Sequence, residues 1–512
     1  MNIVQEPIDN NIDANDLWKG IGGHFDSLNQ IIHEIVDNSI SNFSCNPNLP
    51  HHTILIKIDT DKHGKGVKIK IEDTGSGISN INSAFTLGDK SSQQTPLNEH
   101  GFGLKHALAS ANPSNNKWSV YTRTQGLVNV KRVKQIHAPF KLNNFNAQII
   151  DFSADTYPSV LGNIGTGTII EFTTSVQMYR SLGKYGAKDP LSIALYLKED
   201  LGFIYSGIIK DSIAEIQIIV DSADKLIVNA IEPWIEKTIH PGEATEVVDL
   251  GLLAGLDETG KVQLNYEFNV IKNREVTKDE EKVVYYHANM KSSGVEIRLN
   301  GRMIKNNLLT EIWENVDQHN RFNNFLVRIN LVSNNKDSLP STRSSKNGFR
   351  QGDPKLMGLF NWIRKHCPSP YENKNFRDEI HLFEELKNLK LKQKDFIDGI
   401  LTVETNFKIL KFSTENIKLD MYVAYSDKTI IYRGKKGVST AYDLYQLKLY
   451  WDACVIDGII PTQAILLAVE HNTTIKDLVA MNNSLLDALG HKYKFTLKQW
   501  IDEGIMYPQI VM

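Results

Sequence analysis

Glu34 and Asn38 stand four residues apart in His33-Glu34-Ile35-Val36-Asp37-Asn38-Ser39, and two glycine-rich segments follow in order. These are Asp73-Thr74-Gly75-Ser76-Gly77 and Gly101-Phe102-Gly103-Leu104-Lys105. On a helix, that spacing puts both side chains on one face. A carboxylate there can orient and deprotonate a water, and the amide oxygen beside it can ligate magnesium. The pair alone occurs by chance in many surface helices, so the argument rests on the order of all three segments. Asp37 reads as a residue that caps or solvates its helix, and His33 as a packing residue.

The local patterns place each piece. Residues 17–42 read as one helix, with Leu28, Ile31, Ile32, Ile35 and Val36 as its apolar stripe. Asn46-Pro47-Asn48-Leu49-Pro50 stops it. Two β-like runs follow, 53–58 and 67–71, joined by the hairpin signature Asp61-Lys62-His63-Gly64. The second run delivers Asp73 into the turn at Gly75 and Gly77, where a carboxylate can read an exocyclic amine while a ring approaches the backbone. Residues 85–100 are polar and loop-like. Gly101-Phe102-Gly103 then opens a helix through Ala111, whose first N–H groups suit phosphate oxygens, with the preceding loop as a lid. The Gly-Lys-Ser/Thr ending of a Walker loop is absent, and so is the strand–loop–helix context of a Rossmann fingerprint.

Taken together with Gly165-Thr166-Gly167-Thr168 leading into a β-like run, these motifs resemble the GHKL ATPase superfamily. That group includes DNA gyrase, MutL, the MORC proteins and the ninety-kilodalton heat-shock chaperones. The text around Glu34 to Ser39, and from Leu87-Gly88-Asp89-Lys90-Ser91 to Gly103-Leu104-Lys105, is most similar to MutL and MORC, although Ser41 stands where MutL-like sequences carry an acid. The resemblance implies ATP and magnesium as cofactors, with Glu34 as general base and Asn38 as magnesium ligand. It makes Asp73 the adenine contact, assisted by Thr168, in the turn of Gly75 and Gly77. Gly101, Phe102, Gly103 and Leu104 would line the phosphates, Lys105 would help neutralise them, and Lys90 would belong to the lid.

Farther along, Gly294 to Ile304 reads as a hairpin with an Asn300-Gly301 turn, similar to the transducer domain of the same relatives. A polar loop, Leu339 to Phe349, follows the β-like run 325–332. By resemblance its Lys346, or else Arg343, would reach the γ-phosphate, where a cation senses the third phosphate.

Residues 353–398 look helical and charged, broken by Pro368-Ser369-Pro370. Beyond them Asp420 stands in an alternating segment, the run 429–433 leads to Lys435, and a helix carries Gln446 and Tyr450 one turn apart. This series resembles the PD-(D/E)xK nuclease fold of RecB type, in which two carboxylates hold metal and a lysine positions water. The position for the second carboxylate is Arg433, which cannot ligate a metal. Either this nuclease-like fold is inactive and binds nucleic acid, the favoured reading, or Asp420 is a metal ligand with Glu385 or Asp443 substituting for the missing acid. Leu497 to Ile501 suggests a closing helix.

With 512 residues, the chain has length for about three domains. The reading is α+β: a Bergerat-fold ATPase α/β sandwich (1–185), a transducer α/β domain (186–366) and a C-terminal restriction-endonuclease-like α/β domain (367–512). A net charge of −3 does not advertise nucleic-acid binding by bulk electrostatics. Cys45, Cys367 and Cys454 have no zinc-like or CxxC spacing. Met1 to Asn15 lacks the pattern of a secretory signal, and no apolar run of about 18 residues marks a membrane span. These features lead to the expectation of a cytoplasmic setting.

The resemblances imply an ATPase that closes or forms a homodimer on ATP and handles DNA as a clamp does. The domain pairing adds, by analogy, defence against foreign DNA. Two other classes stand beside it: an ATP-regulated, metal-dependent DNA endonuclease, and a protein-remodelling ATPase of chaperone type.

Overall fold

The computed structural model describes residues 13–60, 66–89, 95–97, 101–182, 189–221, 223–272, 285–287, 289–313, 316, 320–343, 345–367, 369–370, 379–394, 399–411 and 417–507. Lys90 lies outside them. Two compact units divide the chain, Met1–Cys367 and Pro368–Met512.

In the first unit two helices, α1 (Ala14–Gly22) and α2 (Leu28–Cys45), stand where the pattern suggested one over 17–42. The break falls at Gly22-Gly23, because the chain there runs against a helix farther along. A Cβ on Gly22 would lie 2.8 Å from the carbonyl oxygen of Ala109. After the break, α2 carries the expected stripe, with Leu28, Ile31, Ile32, Ile35 and Val36 all buried. Each such side chain contributes about 1.5–3 kcal/mol by leaving water.

That stripe packs with one face of an eight-stranded sheet. Its strands are β1 (Thr53–Thr60), β2 (Val67–Asp73), β3 (Trp118–Arg123), β4 (Arg132–His137), β5 (Gln148–Asp151), β6 (Gly167–Thr174), β7 (Glu215–Val220) and β8 (Leu226–Ile227). Their order is β5-β4-β3-β6-β2-β1-β7-β8, antiparallel throughout except where β1 and β7 run parallel. Ile56, Ile58, Ile69 and Ile71 alternate into the core, as a half-buried strand requires. The antiparallel β2–β6 register sets Asp73 opposite Thr168. Two short helices complete the layer around the later site, α3 (Ile81–Phe85) and α4 (Gly103–Ala111).

A second sheet of the same unit has the order β12-β11-β13-β10-β9. Its strands are β9 (Trp234–Asp249), β10 (Lys261–Lys272), β11 (Gly294–Leu299), β12 (Arg302–Lys305) and β13 (Phe325–Val332). The turn between β11 and β12 has Asn300 at φ 49° and Gly301 at φ 83°. Both are left-handed, as a two-residue hairpin with matching twist demands. After β13 the chain returns in a loop closed by a Thr342–Phe349 bridge, and Lys346 near its tip has φ 50°.

The second unit is a five-stranded sheet, β14 (Ile400–Lys408), β15 (Lys418–Tyr425), β16 (Thr429–Gly434), β18 (Gln463–Ala468) and β20 (Phe495–Gln499), in that order. The first three are antiparallel, and the last two join in parallel. A separate pair is formed by β17 (Val438–Ser439) and β19 (Glu470–His471). The helix Ala441–Ile456 connects β16 to β18 through one core, while Leu382, Phe383 and Leu386 of the helix Glu379–Lys394 fill another. The segment 497–501 is a strand end and a 3-10 turn, not the closing helix its composition suggested. Pairing decides this: Leu466 of β18 sits opposite Leu497, and Phe495 packs 5.9 Å from Trp451.

Gly434 is squeezed where this sheet meets its second core. A Cβ there would lie 2.5 Å from the Phe383 ring and 2.8 Å from Trp500. Gly434→Ala should therefore destabilise this unit by about 1–3 kcal/mol. The expected sign is a lower urea midpoint at unchanged slope.

Of the three cysteines, Cys45 at the end of α2 is exposed, whereas Cys367 and Cys454 are buried and their thiols are pushed up to about 12 by burial. Among the described residues no helix is long and apolar enough to cross a membrane.

Candidate active site

A cavity of about 310 Å³ opens between α2, the end of β2, α3 and the start of α4. Asn38, Asp73, Gly77, Gly101, Gly103, Leu104, Lys105 and Thr168 all line it. Gly75 and Phe102 do not. Gly75 shapes the turn behind Asp73, and the Phe102 ring stacks on His106 and rests against Gly88.

At one end Asp73 is held from three sides. Its Oδ1 accepts the N–H of Gly75 (2.9 Å) and of Thr168 (3.2 Å), and its Oδ2 accepts the Ser39 hydroxyl (3.0 Å). Burial raises its pKa to about 6 against these bonds, which act in the opposite direction. Gly77 has φ 78°, and a Cβ there would run into the Arg123 carbonyl. The turn can therefore pass beneath the cavity only as glycine.

At the other end Gly101 has φ 68°, and Gly103 begins α4 directly against Glu34. A Cβ on Gly103 would overlap the Glu34 carboxylate. Lys105 departs from the expectation of a phosphate-neutralising cation. Its ammonium donates to the carbonyls of Ala84 (3.0 Å), Thr86 (2.8 Å) and Gly101 (2.7 Å), which occupies all three N–H bonds. Burial lowers its pKa to about 8. It ties α3 and the chain after it to the glycine turn.

Glu34 is 4% exposed and meets a cation from far along the chain. The Lys346 ammonium lies 3.0 Å from Glu34 Oε2 and 3.4 Å from Asp37 Oδ2. Asp37, fully buried, also accepts from Arg302 Nε (2.6 Å) and the Tyr205 hydroxyl (2.9 Å). Burial raises the Glu34 pKa and Lys346 offsets part of the rise. Burial acts on Asp37 in the same direction, but Arg302 and Lys346 outweigh it and leave its carboxyl below the usual value. Two acids on α2 thus face two cations from the second sheet and its loop.

Asn38 lies between these ends, one residue before the Ser39 that touches Asp73 and one turn after Glu34. Its amide makes no hydrogen bond with a described residue and faces the cavity. An oxygen donor beside a carboxylate, open to a ligand, fits a hard cation that draws its other ligands from phosphate and water.

In the second unit the nuclease-like residues also converge, around a guanidinium. Arg433 lies 2.6 Å from Asp420, 3.6 Å from Glu379 and 3.7 Å from Asp443, and donates to Gln446 at 3.2 Å. Gln446 donates to the Tyr450 hydroxyl, which lies 3.5 Å from Asp420. Lys435 stands 3.9 Å from Asp443, a residue whose other oxygen caps its helix through Thr440. Asp420 therefore faces a cation of the chain itself. Among the described residues no group of three or more His, Cys, Asp or Glu is arranged to hold a metal.

Residues 26–155 match the family model described as histidine kinase-, DNA gyrase B- and HSP90-like ATPase. They form a GHKL-type ATPase domain. Glu34, Asn38, Asp73 and the glycine turn at 101–103 fall inside the matched part of this GHKL domain, whereas Thr168, Arg302 and Lys346 lie beyond it. Among solved structures, the ATPase domain of Aquifex aeolicus MutL complexed with ADP is similar at 13% identity. The similarity covers 66% of this chain and 98% of that one, with a TM-score of 0.29. No curated protein matches the chain.

Sequence reasoning missed three residues gathered around Glu34 and Lys346. Asp37 had a visible signal, since it follows Glu34 by three positions and shares its face. Arg302 directly follows the Asn-Gly turn, where a long cation at a hairpin end can reach across. Tyr205 had none, because nothing local marks its hydroxyl as aimed at an acid 168 residues earlier.

Proposed function

We propose that the GHKL domain binds ATP with magnesium and hydrolyses it to ADP and phosphate. The observation that carries this reading is one cavity lined by Asp73, Asn38, Gly101 and Gly103, with Glu34 directly against Gly103. Asp73 accepts a hydrogen bond from the adenine amine, and Thr168 holds the carboxylate in place. Gly75 and Gly77 let the ring approach the backbone. Gly101, Gly103 and Leu104 present backbone to the phosphates, while Phe102 packs on His106 and against Gly88.

Magnesium, when bound, withdraws charge from the phosphate oxygens; Asn38 supplies its protein oxygen. Glu34 orients the attacking water and takes its proton. Lys346 contacts the terminal phosphate, with Arg343 the less favoured substitute.

Phosphate release by the full chain with magnesium and ATP, measured beside Glu34→Ala, tests this reading. Turnover that Glu34→Ala abolishes is expected. Native protein without turnover overturns it.

Closure on ATP, and pairing of two copies, then controls how the chain holds DNA in the manner of a clamp. The Arg433–Asp420 pair favours a C-terminal unit that holds DNA without cutting it, since a guanidinium sits among the acids that a metal would need. Plasmid incubated with magnesium or manganese, with and without ATP, separates the two outcomes. A gel shift that needs ATP, on intact plasmid, is expected; nicking that Asp420→Ala stops would make the chain an ATP-gated nuclease.

A further inference from the structure

Four buried charges from three parts of the first unit close into one ring. Glu34 and Asp37 come from α2, Arg302 from the start of β12, and Lys346 from the loop after β13. None is more than 4% exposed. The Arg302 guanidinium makes two bonds that matter here: Nε donates to Asp37 Oδ1 at 2.6 Å, and Nη1 donates to the backbone carbonyl of Lys346 at 3.1 Å. Asp37 also acts twice, since its second oxygen lies 3.4 Å from the Lys346 ammonium. One end of Lys346 is thus held by Arg302 and the other by Asp37, while its ammonium reaches Glu34 at 3.0 Å.

The backbone at Lys346 explains why such a hold is needed. The residue has φ 50°, in a tight loop where its N–H donates to Arg343 O and the Arg343 N–H donates to Gly348 O. A non-glycine residue there is strained. Left to itself, a lysine on a polar loop would also keep its rotamer freedom, worth up to about 2 kcal/mol. Asp37 and Arg302 remove that freedom. Their charges balance, so the hold leaves no uncompensated ion in the interior.

From this geometry we infer that Asp37 and Arg302 are positioning residues for the ATPase reaction, which together aim the Lys346 ammonium at the Glu34 carboxylate. The inference rests on the ATP-hydrolysing reading above and adds two residues that touch neither nucleotide nor water. Lys346 then reaches the terminal phosphate without a search. The same bonds join Asp37 and Lys346 to the β11–β12 hairpin, because Arg302 begins β12.

The test uses the full chain and four variants: Lys346→Met, Arg302→Lys, the pair Asp37→Asn with Arg302→Gln, and that pair with Lys346→Met added. The pair removes both charges at once, so no lone ion is left buried. The readouts are kcat and KM for ATP, affinity for a fluorescent ATP analogue, and Tm. A misaimed lysine should lower kcat by about 10–100-fold in the pair, with KM and analogue affinity unchanged. Adding Lys346→Met should cost nothing further, since the lysine no longer acts.

Arg302→Lys keeps the charge against Asp37 but loses the second bond to Lys346. It should recover part of the lost kcat.

A folded pair variant with native kcat overturns the inference, as does an additive loss on adding Lys346→Met. Loss of analogue affinity and Tm together with kcat assigns the two residues to structure alone and also overturns it. In all three cases the native chain still turns over ATP, so the ATPase reading stands. A native chain without turnover overturns both.

Discussion

Glu34→Gln should lower ATP turnover by about 10²–10⁴-fold while nucleotide still binds. Glutamine keeps the shape against Gly103 and can still accept a bond from the Lys346 ammonium, now 3.0 Å away. It cannot take a proton from water. The prediction separates chemistry from binding because Glu34 packs against Gly103 and Lys346, whereas Asp73 is held by Gly75, Thr168 and Ser39. Phosphate release and analogue binding measured on the same preparation check it, and native turnover in the folded variant would remove Glu34 from the reaction. Burial also fixes a pH dependence: the Glu34 carboxyl titrates above its ordinary value of 4.5. Acidification protonates the base first, so turnover should fall on the acid side at a pH above the usual glutamate range.

The second large effect runs in opposite directions for stability and binding. Asp73→Asn should raise stability near neutral pH and lower affinity for ATP. The carboxyl titrates at about 6 in the folded chain against an ordinary 3.8. Below 3.8 it is protonated folded or unfolded and costs nothing. Between 3.8 and 6 the unfolded chain loses this proton while the folded chain keeps it, so native stability falls as pH rises. Above 6 the cost levels off at about 3 kcal/mol. Asparagine is never charged, and its oxygen can accept the same N–H bonds from Gly75 and Thr168 while its amide donates to Ser39. Those two backbone donors fix which way the amide points, and its NH₂ then meets the adenine amine donor to donor. Affinity should drop about 10-fold or more. Thermal melts of the two proteins at pH 4 and pH 8 check the first half: the curves should nearly coincide at pH 4 and separate at pH 8. Analogue titration checks the second.

Where short-range rules dominate, the sequence was readable. The α2 stripe follows from helical spacing, the Asn300-Gly301 hairpin from a turn that needs two left-handed residues, and Asp73 at a strand end from alternation that stops at glycine. Their meeting in one cavity follows from the β2–β6 register, and Thr168 could be placed there only by motif order. The failures share a cause. The α1–α2 break depends on Ala109, 87 positions after Gly22; the strand at 495–499 depends on β18 as its partner. The Arg302–Asp37 bond joins residues 265 positions apart. No window on the sequence contains both members of such contacts, so the pattern of each segment is the same whether or not the contact forms. In the C-terminal unit the acids that join Asp420 around Arg433, Asp443 and Glu379, come from two different helices.

The cysteines offer a way to watch this machinery. Cys367 and Cys454 are buried with thiols that hold their protons to about pH 12, so at neutral pH a maleimide dye should mark Cys45 alone. That residue closes the helix that begins with the site's apolar stripe and carries Glu34, Asn38 and Ser39. A fluorophore there sits at the exposed end of the helix whose Ile35, Asn38, Ser39 and Asn42 line the cavity. The native chain, without any engineered residue, therefore comes with a single attachment point for an optical reporter of nucleotide arrival.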